Sequence, residues 1–228
     1  REAKIYTTWT NQNGEYEGNL TSFIENILND AEFIGLTENF VDSIIENGWT
    51  NSLSQTLLKM TSPGVPDIYQ GSEIWMFSLV DPDNRRNVDY NLRARMLEEL
   101  DEMETAEILS KMNEGYPKLY LIYRSLNLRK ENPEWFSDKS KYFPIKISGE
   151  KSDHIISYRR GENIIAVAQR FTILHKNEWN DTGIDVPDKR WYNIFTNKEH
   201  KGPFIKIAEL LNDFPVALLS TEPFTRHI

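Results

Sequence analysis

Side chains of types that bind ligands follow an apolar run in the segment Ser62–Glu73. The run Val65–Gly71 predicts a short buried strand, and Pro66 stands near its start, where a missing N–H is tolerated. Gln70 and Glu73 come at the end of this strand and just past it. Substrates of parallel α/β barrels bind at the carboxyl ends of the strands. Both side chains are therefore predicted to line such a site or to orient its lining residues.

A second segment, Leu79–Tyr90, contains three carboxylates and two guanidinium groups within nine residues. One interpretation is that Arg85 and Arg86 bind substrate hydroxyl groups through bidentate, charge-assisted hydrogen bonds. The other is that these arginines pair with Asp81 and Asp83, while the last carboxylate of the segment caps the following helix. Spacing alone favours neither interpretation.

Helices dominate the first part of the chain. Residues 1–19 are polar and predict a loop, after which Ser22 and Glu25 resemble a capping box. Gly48 is predicted to end a helix, because glycine commonly follows a helix C-terminus. The helices predicted from apolar positions three and four residues apart cover residues 22–28, 37–47, 51–60 and 91–112, with a further one between Pro117 and Pro133.

Strand patterns replace the helical ones after about residue 138. A hairpin is predicted at residues 159–163, because a glycine lies in the short connection between two apolar runs. The predicted strands cover residues 142–147, 154–158, 164–169, 184–186, 190–195 and 216–220. Runs of helices followed by runs of strands suggest two domains, 1–138 and 139–228.

Charge and composition exclude several classes of function. The 228 residues carry a net charge of −9, which argues against nucleic acid or an anionic membrane as a partner. There is no cysteine, so neither a disulfide framework nor a cysteine-ligated metal is expected. No apolar run is long enough to span a bilayer, and a cytoplasmic location is expected. The first residue is Arg1 rather than a methionine, and we therefore expect this sequence to be an internal part of a longer chain.

A family resemblance rests on the same two segments. The run Pro63–Glu73 resembles the eighth barrel strand of the α-amylase superfamily. With Asp67 and Gln70, and followed by Ser78–Tyr90, it is similar specifically to the maltooligosyltrehalose synthase family. Glu2–Glu17 is similar to the stretch that this family carries between its seventh and eighth strands. The tail agrees in order through residues 153–161, 179–182 and 190–196.

The resemblance implies an α/β plus all-β fold. Residues 1–138 would be the C-terminal part of a (β/α)8 barrel, and residues 139–228 an antiparallel β-sandwich domain. The implied activity is an intramolecular transglucosylation that converts the reducing-end α-1,4 linkage of a maltooligosaccharide into an α,α-1,1 linkage. The alternatives are another amylase-type glucan hydrolase or transferase, or a non-catalytic glucan-binding module.

No catalytic residue is assigned in this sequence. Such retaining chemistry needs a carboxylate nucleophile and a carboxylic acid/base. In the superfamily these groups follow strands four, five and seven, the last in a His-Asp pair, whereas the four histidines here precede Ile or Lys. The chain alone is therefore expected to be inactive, with no cofactor and no metal. The implied partners are a maltooligosaccharide, the missing N-terminal part of the barrel and, functionally, a maltooligosyltrehalose trehalohydrolase.

The remaining candidates are substrate-binding residues. Trp9 could stack on a sugar or be a packed anchor, and Arg85 and Arg86 could bind substrate or form structural ion pairs. Thr10 and Lys4 are further candidates beside Trp9. The substrate-binding set is Trp9, Asn11, Glu15, Gln70, Glu73, Arg85 and Arg86. The aromatic stripe Tyr116–Tyr123, the pair Trp191–Tyr192 and His154 are instead interpreted as core or sheet residues.

Overall fold

The computed structural model describes residues 1–175 and 177–224, and the chain divides into two compact units, Arg1–Glu46 and Asn47–Ile228. The helices are α1 (Gly14–Leu28), α2 (Ala31–Thr61), α3 (Tyr90–Leu100), α4 (Thr105–Ser110), α5 (Tyr116–Glu131), α6 (Thr172–His175) and α7 (Ile207–Leu210). The strands are β1 (Tyr142–Pro144), β2 (Ile147–Ser148), β3 (Ile155–Arg160), β4 (Ile164–Gln169), β5 (Gly183–Asp185), β6 (Arg190–Asn193), β7 (Glu199–Lys201), β8 (Phe204–Lys206) and β9 (Ala217–Ser220).

Helix α1 begins earlier than the sequence pattern predicted. Asn13 is its N-cap, since the Asn13 side chain accepts a hydrogen bond of 3.1 Å from the Tyr16 backbone N–H. An Asn cap satisfies one of the free N–H groups of the first turn, so the helix starts at Gly14. The prediction of a loop up to residue 19 with a cap at Ser22 is therefore wrong.

Helix α2 is continuous where two helices were predicted. Gly48 lies inside it, with nothing within 4 Å of the position that a Cβ would occupy. An interior glycine costs only about 1 kcal/mol relative to alanine, and the buried residues Leu53, Leu57 and Met60 anchor the helix beyond it. The prediction that Gly48 ends a helix is wrong for this reason.

The predicted strand at residues 65–71 is not formed. A β-strand is stabilised by backbone hydrogen bonds to a neighbouring strand, and no strand within the described residues pairs with this segment. Side chains hold it instead. The Lys59 ammonium donates to the Asp67 carbonyl at 3.0 Å, and Arg129 donates to the Gly64 carbonyl at 2.9 Å.

Acidic residues interrupt the helix that was predicted over residues 91–112. It divides into α3, α4 and a 3₁₀ turn at Met112–Glu114. The interruption falls at Asp101–Glu104, where negative charge opposes the negative end of the helix dipole. The helix predicted between the two prolines is confirmed as α5.

The strands form two antiparallel sheets, with orders β1-β3-β4-β9-β6-β7 and β2-β5-β8. The hairpin between β3 and β4 is confirmed, and Gly161 adopts a positive φ of 52° in its turn. The strands predicted at 190–195, 216–220 and 184–186 correspond to β6, β9 and β5. Strands β7 and β8 were not predicted, and the run 142–147 divides into β1 and β2.

Strand β4 is buried on both faces and separates two cores. Ile164, Ala166 and Ala168 pack in one core with helical residues such as Leu53 and Leu121. Their alternates along the strand, Ile165 and Val167, pack in a second core with residues of β5, β6 and β8. The helices and the three-stranded sheet therefore cover opposite faces of the larger sheet.

None of the helices in the described part of the chain is long and apolar enough to cross a membrane.

Candidate functional site

Arg93 joins the two motif segments. This arginine lies in the first turns of α3, and its side chain is 14% exposed. Its Nε donates to Glu73 Oε2 at 3.0 Å, and one Nη donates to the Gly71 carbonyl at 2.6 Å. The other Nη donates to the Asp89 carbonyl at 3.0 Å. One planar guanidinium thus fixes the end of the first segment against the end of the second.

The two segments approach each other closely at Gly71. Its φ of +89° lies in the left-handed region, and a Cβ there would lie 3.1 Å from Val88 Cγ2. Beside it, the Tyr90 hydroxyl donates to Gln70 Oε1 at 3.2 Å. A side chain larger than hydrogen at position 71 would push the two segments apart.

The arginines of the second segment form ion pairs. Arg85 Nε lies 2.5 Å from Asp81 Oδ1, and Arg86 pairs with Asp83. The backbone N–H of Leu79 and the Arg86 guanidinium lower the pKa of the Asp83 carboxyl. Both arginine side chains nevertheless stay open to solvent, at 68% and 72% exposure. Pairing within the segment and access for a ligand thus coexist.

Asp89 provides the helix cap that the second interpretation expected. Its Oδ1 accepts from the Leu92 backbone N–H at 2.9 Å, which fixes the start of α3. Because Arg93 lies one turn further along α3, the cap also sets the direction of that guanidinium.

A cleft of about 330 Å³ lies between the two segments. Of the seven predicted substrate-binding residues, Arg86 lines it directly, and Glu73 is connected to it through Arg93. Its lining residues are Gly71, Trp75, Met76, Phe77, Ser78, Arg86, Asn87, Val88, Asp89 and Arg93. Two guanidinium groups, a carboxylate and two aromatic rings can together bind the hydroxyl groups and the apolar face of a sugar.

Trp75 was missed by sequence reasoning. Its Nε1 donates to the Met112 carbonyl, and its ring stacks on Trp49 with centroids 6.4 Å apart and planes 14° apart. The Lys118 ammonium lies 5.6 Å from the Trp75 ring centroid, and burial lowers the pKa of Lys118. Arg93 was missed as well, because its partners Glu73 and Gly71 are distant in sequence.

The remaining candidates lie in the Arg1–Glu46 unit. The Trp9 indole is 59% exposed, and its Nε1 donates to Glu2 Oε1 at 2.6 Å, so it is not a packed anchor within this unit. Asn11 closes a turn with Thr8 through a 3.0 Å backbone hydrogen bond, which leaves its side chain exposed. Glu15 is exposed in the first turn of α1.

Glu17 fixes the N-terminal segment onto α1. It accepts hydrogen bonds from the Arg1 guanidinium and from the Thr7 hydroxyl, which lower the pKa of its carboxyl to about 2. The exposed face of Trp9 is therefore presented from an anchored loop.

Most of the residues interpreted as core are buried, whereas Tyr123 and Tyr192 are half-buried. Tyr116, Leu119 and Tyr120 pack in the helical core, and Trp191 is fully buried in the second core. His154 ends a short 3₁₀ turn just before β3 rather than lying in the strand.

Comparisons with known proteins agree with the family resemblance that the two segments indicated. No protein-family model matches this chain. A Mycobacterium tuberculosis protein that bears the name of a maltooligosyl trehalose synthase is 34% identical over 220 residues, which are 96% of this chain and 26% of that protein. Maltooligosyltrehalose synthase from Arthrobacter ramosus superposes with a TM-score of 0.85 at 34% identity over 96% of this chain. A further maltooligosyl trehalose synthase structure gives a TM-score of 0.77 at 31% identity.

The match is confined to part of each relative. The chain spans 26% of the Mycobacterium protein and 28% of each of these two solved chains. The matched region is their C-terminal part. In sequence and in fold, this chain is a relative of the maltooligosyltrehalose synthases and corresponds to about the last quarter of their length.

Proposed function

We propose that this chain is the C-terminal portion of an enzyme that forms trehalose ends on maltooligosaccharides. The reaction converts the reducing-end α-1,4 linkage into an α,α-1,1 linkage by intramolecular transglucosylation. The observation that carries the proposal is the 34% identity over 96% of the chain, which includes both motif segments. The relatives bear the name of that activity.

The cleft between the segments is proposed to bind the reducing-end sugars. Arg86 and Arg93 supply planar donors to its lining, and Gln70 and Glu73 hold Tyr90 and Arg93 in place through hydrogen bonds. Arg85 is proposed to contact substrate from its exposed ion pair with Asp81.

Trp9, Asn11 and Glu15 are proposed to contact the reducing-end glucose. Their exposure in the Arg1–Glu46 unit supports this role, because an indole and an amide held on an anchored loop can contact a sugar.

The domain organisation follows from the same proposal. Residues 1–138 would complete a (β/α)8 barrel, and residues 139–228 would form a β-sandwich domain. Exposed apolar side chains on α1 and α2 support this, because Phe23, Phe33 and Phe40 are 61%, 46% and 63% exposed and need a covering surface.

The catalytic carboxylates are proposed to lie in the upstream part of the barrel. A trehalohydrolase that cleaves the product would be the functional partner, in the cytoplasm.

The test is incubation of the full-length protein with maltopentaose, followed by a reducing-end assay. Loss of reducing ends without release of shorter sugars is expected. A hydrolase would instead increase the number of reducing ends, and a binding module would leave it unchanged. Either of these outcomes would refute the proposal.

A matched pair of variants tests the cleft itself. Arg93→Gln removes the charge and two of the three hydrogen bonds that join the segments, whereas Arg95→Gln changes an exposed arginine of the same helix. We expect kcat/KM for maltopentaose to fall at least about tenfold in the first variant, which corresponds to about 1.4 kcal/mol of transition-state stabilisation. Equal activity of the two variants would exclude Arg93 from the working site.

A further inference from the structure

A second cleft, separate from the one between the motif segments, lies between the helices and the sheets of the Asn47–Ile228 unit. Its volume is about 470 Å³, within the range of roughly 300–1,000 Å³ that is usual for ligand pockets. Its lining residues are Thr50, Leu109, Met112, Gln169, Asn177, Trp179, Ala208, Leu211, Asn212, Phe214 and Pro215. It shares no lining residue with the first cleft.

The described residues that line this second cleft include no ionisable group, although 27% of the chain is charged. Its polar side-chain groups are one hydroxyl, the Trp179 indole N–H and three carboxamides, those of Gln169, Asn177 and Asn212. A carboxamide offers both donors and an acceptor, as a sugar hydroxyl does, and it imposes no charge requirement. The first cleft differs, since Arg86, Asp89 and Arg93 line it.

Gln169 provides an independent sign of a ligand. The residue is only 4% exposed, and its Nε2 donates to the Pro215 carbonyl at 2.6 Å. That hydrogen bond fixes the orientation of the carboxamide, and its Oε1 is left buried with no hydrogen-bond partner among the described residues. A buried acceptor without a partner costs about 1–3 kcal/mol, which a hydroxyl group arriving from a ligand would offset.

Two exposed amides complete the arrangement. Asn177 holds a left-handed conformation with φ of 60°, and its backbone N–H donates to His175 Nδ1 at 3.0 Å. Asn212 donates to Asp213 Oδ1 at 2.8 Å, which orients its amide. Trp179 and Phe214 add apolar surface to the same lining.

We propose that this second cleft binds a short neutral saccharide outside the site of the proposed reaction. Gln169 Oε1 accepts from a sugar hydroxyl at the inner end, and Asn177 and Asn212 bind hydroxyls at the exposed end. Only the choice of a glucose disaccharide as the probe rests on the proposed function. Trehalose suits the titration because it has no reducing end and would not be turned over.

The experiment uses the full-length protein, titrated with trehalose by calorimetry. Ala208→Trp fills the cleft from the exposed face of α7 and removes no hydrogen bond, while Glu209→Trp places the same bulk on the next residue, outside this lining. We expect the first variant to weaken trehalose binding at this cleft at least tenfold and the second to leave it unchanged.

A second variant removes an amide without blocking the cleft. Asn177→Gly tolerates the positive φ and should weaken binding about threefold to tenfold. The reducing-end assay with maltopentaose should stay unchanged in all three variants, which separates this cleft from the first. Absence of trehalose binding in the wild type, or identical isotherms for Ala208→Trp and the wild type, would overturn the proposal. Failure of the proposed function would appear differently, as constant reducing ends in the wild type.

Discussion

His175 shows how burial controls a single ionisable side chain. It is 2% exposed, with its ring centroid 4.3 Å from that of Trp179 and 5.3 Å from that of His154. Burial, together with the nearby charges of His154 and Lys151, lowers the pKa of His175 to about 4. The imidazole is therefore neutral at pH 7, and its Nδ1 accepts the Asn177 backbone N–H.

The lowered pKa of His175 predicts a pH-dependent stability. In the unfolded chain the His175 imidazole has a pKa near 6.5 and is protonated below that pH. In the folded chain it is protonated only below about pH 4. The free energy of unfolding is therefore highest above pH 6.5 and falls on acidification, by at most about 1.4 kcal/mol per pH unit. His175→Asn keeps an acceptor for the Asn177 backbone N–H. It should make the melting temperature less dependent on pH between pH 7 and pH 4.5. An unchanged slope in this variant would contradict the assignment.

Substitution by alanine is predicted to change the free energy of unfolding in opposite directions at two glycines. Gly115 has a φ of +89°, and a Cβ there would lie 2.8 Å from Ile74 Cβ, so Gly115→Ala should destabilise by about 2–3 kcal/mol. Gly48 is helical with open space around it, so Gly48→Ala should stabilise by about 0.5–1 kcal/mol. Urea denaturation of both variants measures the difference, and similar midpoints would refute the steric argument.

At the scale of elements, helix α3 depends on its N-cap residue for both stability and orientation. Asp89 caps it, and the same residue offers its carbonyl to Arg93, so the start of the helix and the joining guanidinium are set together. A shift of this helix by one residue would turn Arg93 away from Glu73.

Asp89→Ala is therefore predicted to cost about 1 kcal/mol, because the Leu92 N–H loses its acceptor. Asp89→Asn keeps the acceptor and should cost only a few tenths of that value. Chemical denaturation measures both, and kcat/KM for maltopentaose should fall with the alanine variant. Equal stability of the two variants would show that water replaces the cap at no cost.

In the Asn47–Ile228 unit as a whole, Arg160 connects the sheet with the helices. It is 1% exposed, and its two Nη atoms donate to the Thr61 carbonyl at 2.8 Å and to the Ser137 carbonyl at 2.9 Å. The neighbouring Tyr158 hydroxyl lies 2.6 Å from Thr61 Oγ1. A strand of the larger sheet thus binds the C-terminal end of α2, where a cation is also favoured by the helix dipole.

Arg160→Met is predicted to destabilise the protein by about 3 kcal/mol, because one buried and one partly buried carbonyl lose a charged donor. Arg190→Met is the control, since its ion pair with Glu199 is exposed and worth at most about 1 kcal/mol. Guanidinium unfolding of the two variants provides the comparison. A loss below about 1 kcal/mol in the first variant would mean that the sheet and the helices of this unit are joined by apolar packing alone.

The sequence by itself determined the features that depend on neighbouring residues. The hairpin of β3 and β4 and the helix between Pro117 and Pro133 each follow from short-range preferences. The cap at Asp89 was one of two interpretations that spacing left open, and the structure shows it. The two motif segments were also visible, because their residue types are unusual at that density. What they bind still rests on comparison with relatives.

The tertiary structure decided what depends on distant partners. Gly48 remains helical because residues beyond it are buried, and residues 65–71 form no strand because nothing described pairs with them. Arg93 became visible only in three dimensions, since its partners Glu73 and Gly71 lie 20 and 22 residues away in sequence. Local pattern sets what a segment can form, whereas burial and pairing, which are not local, set what it does form.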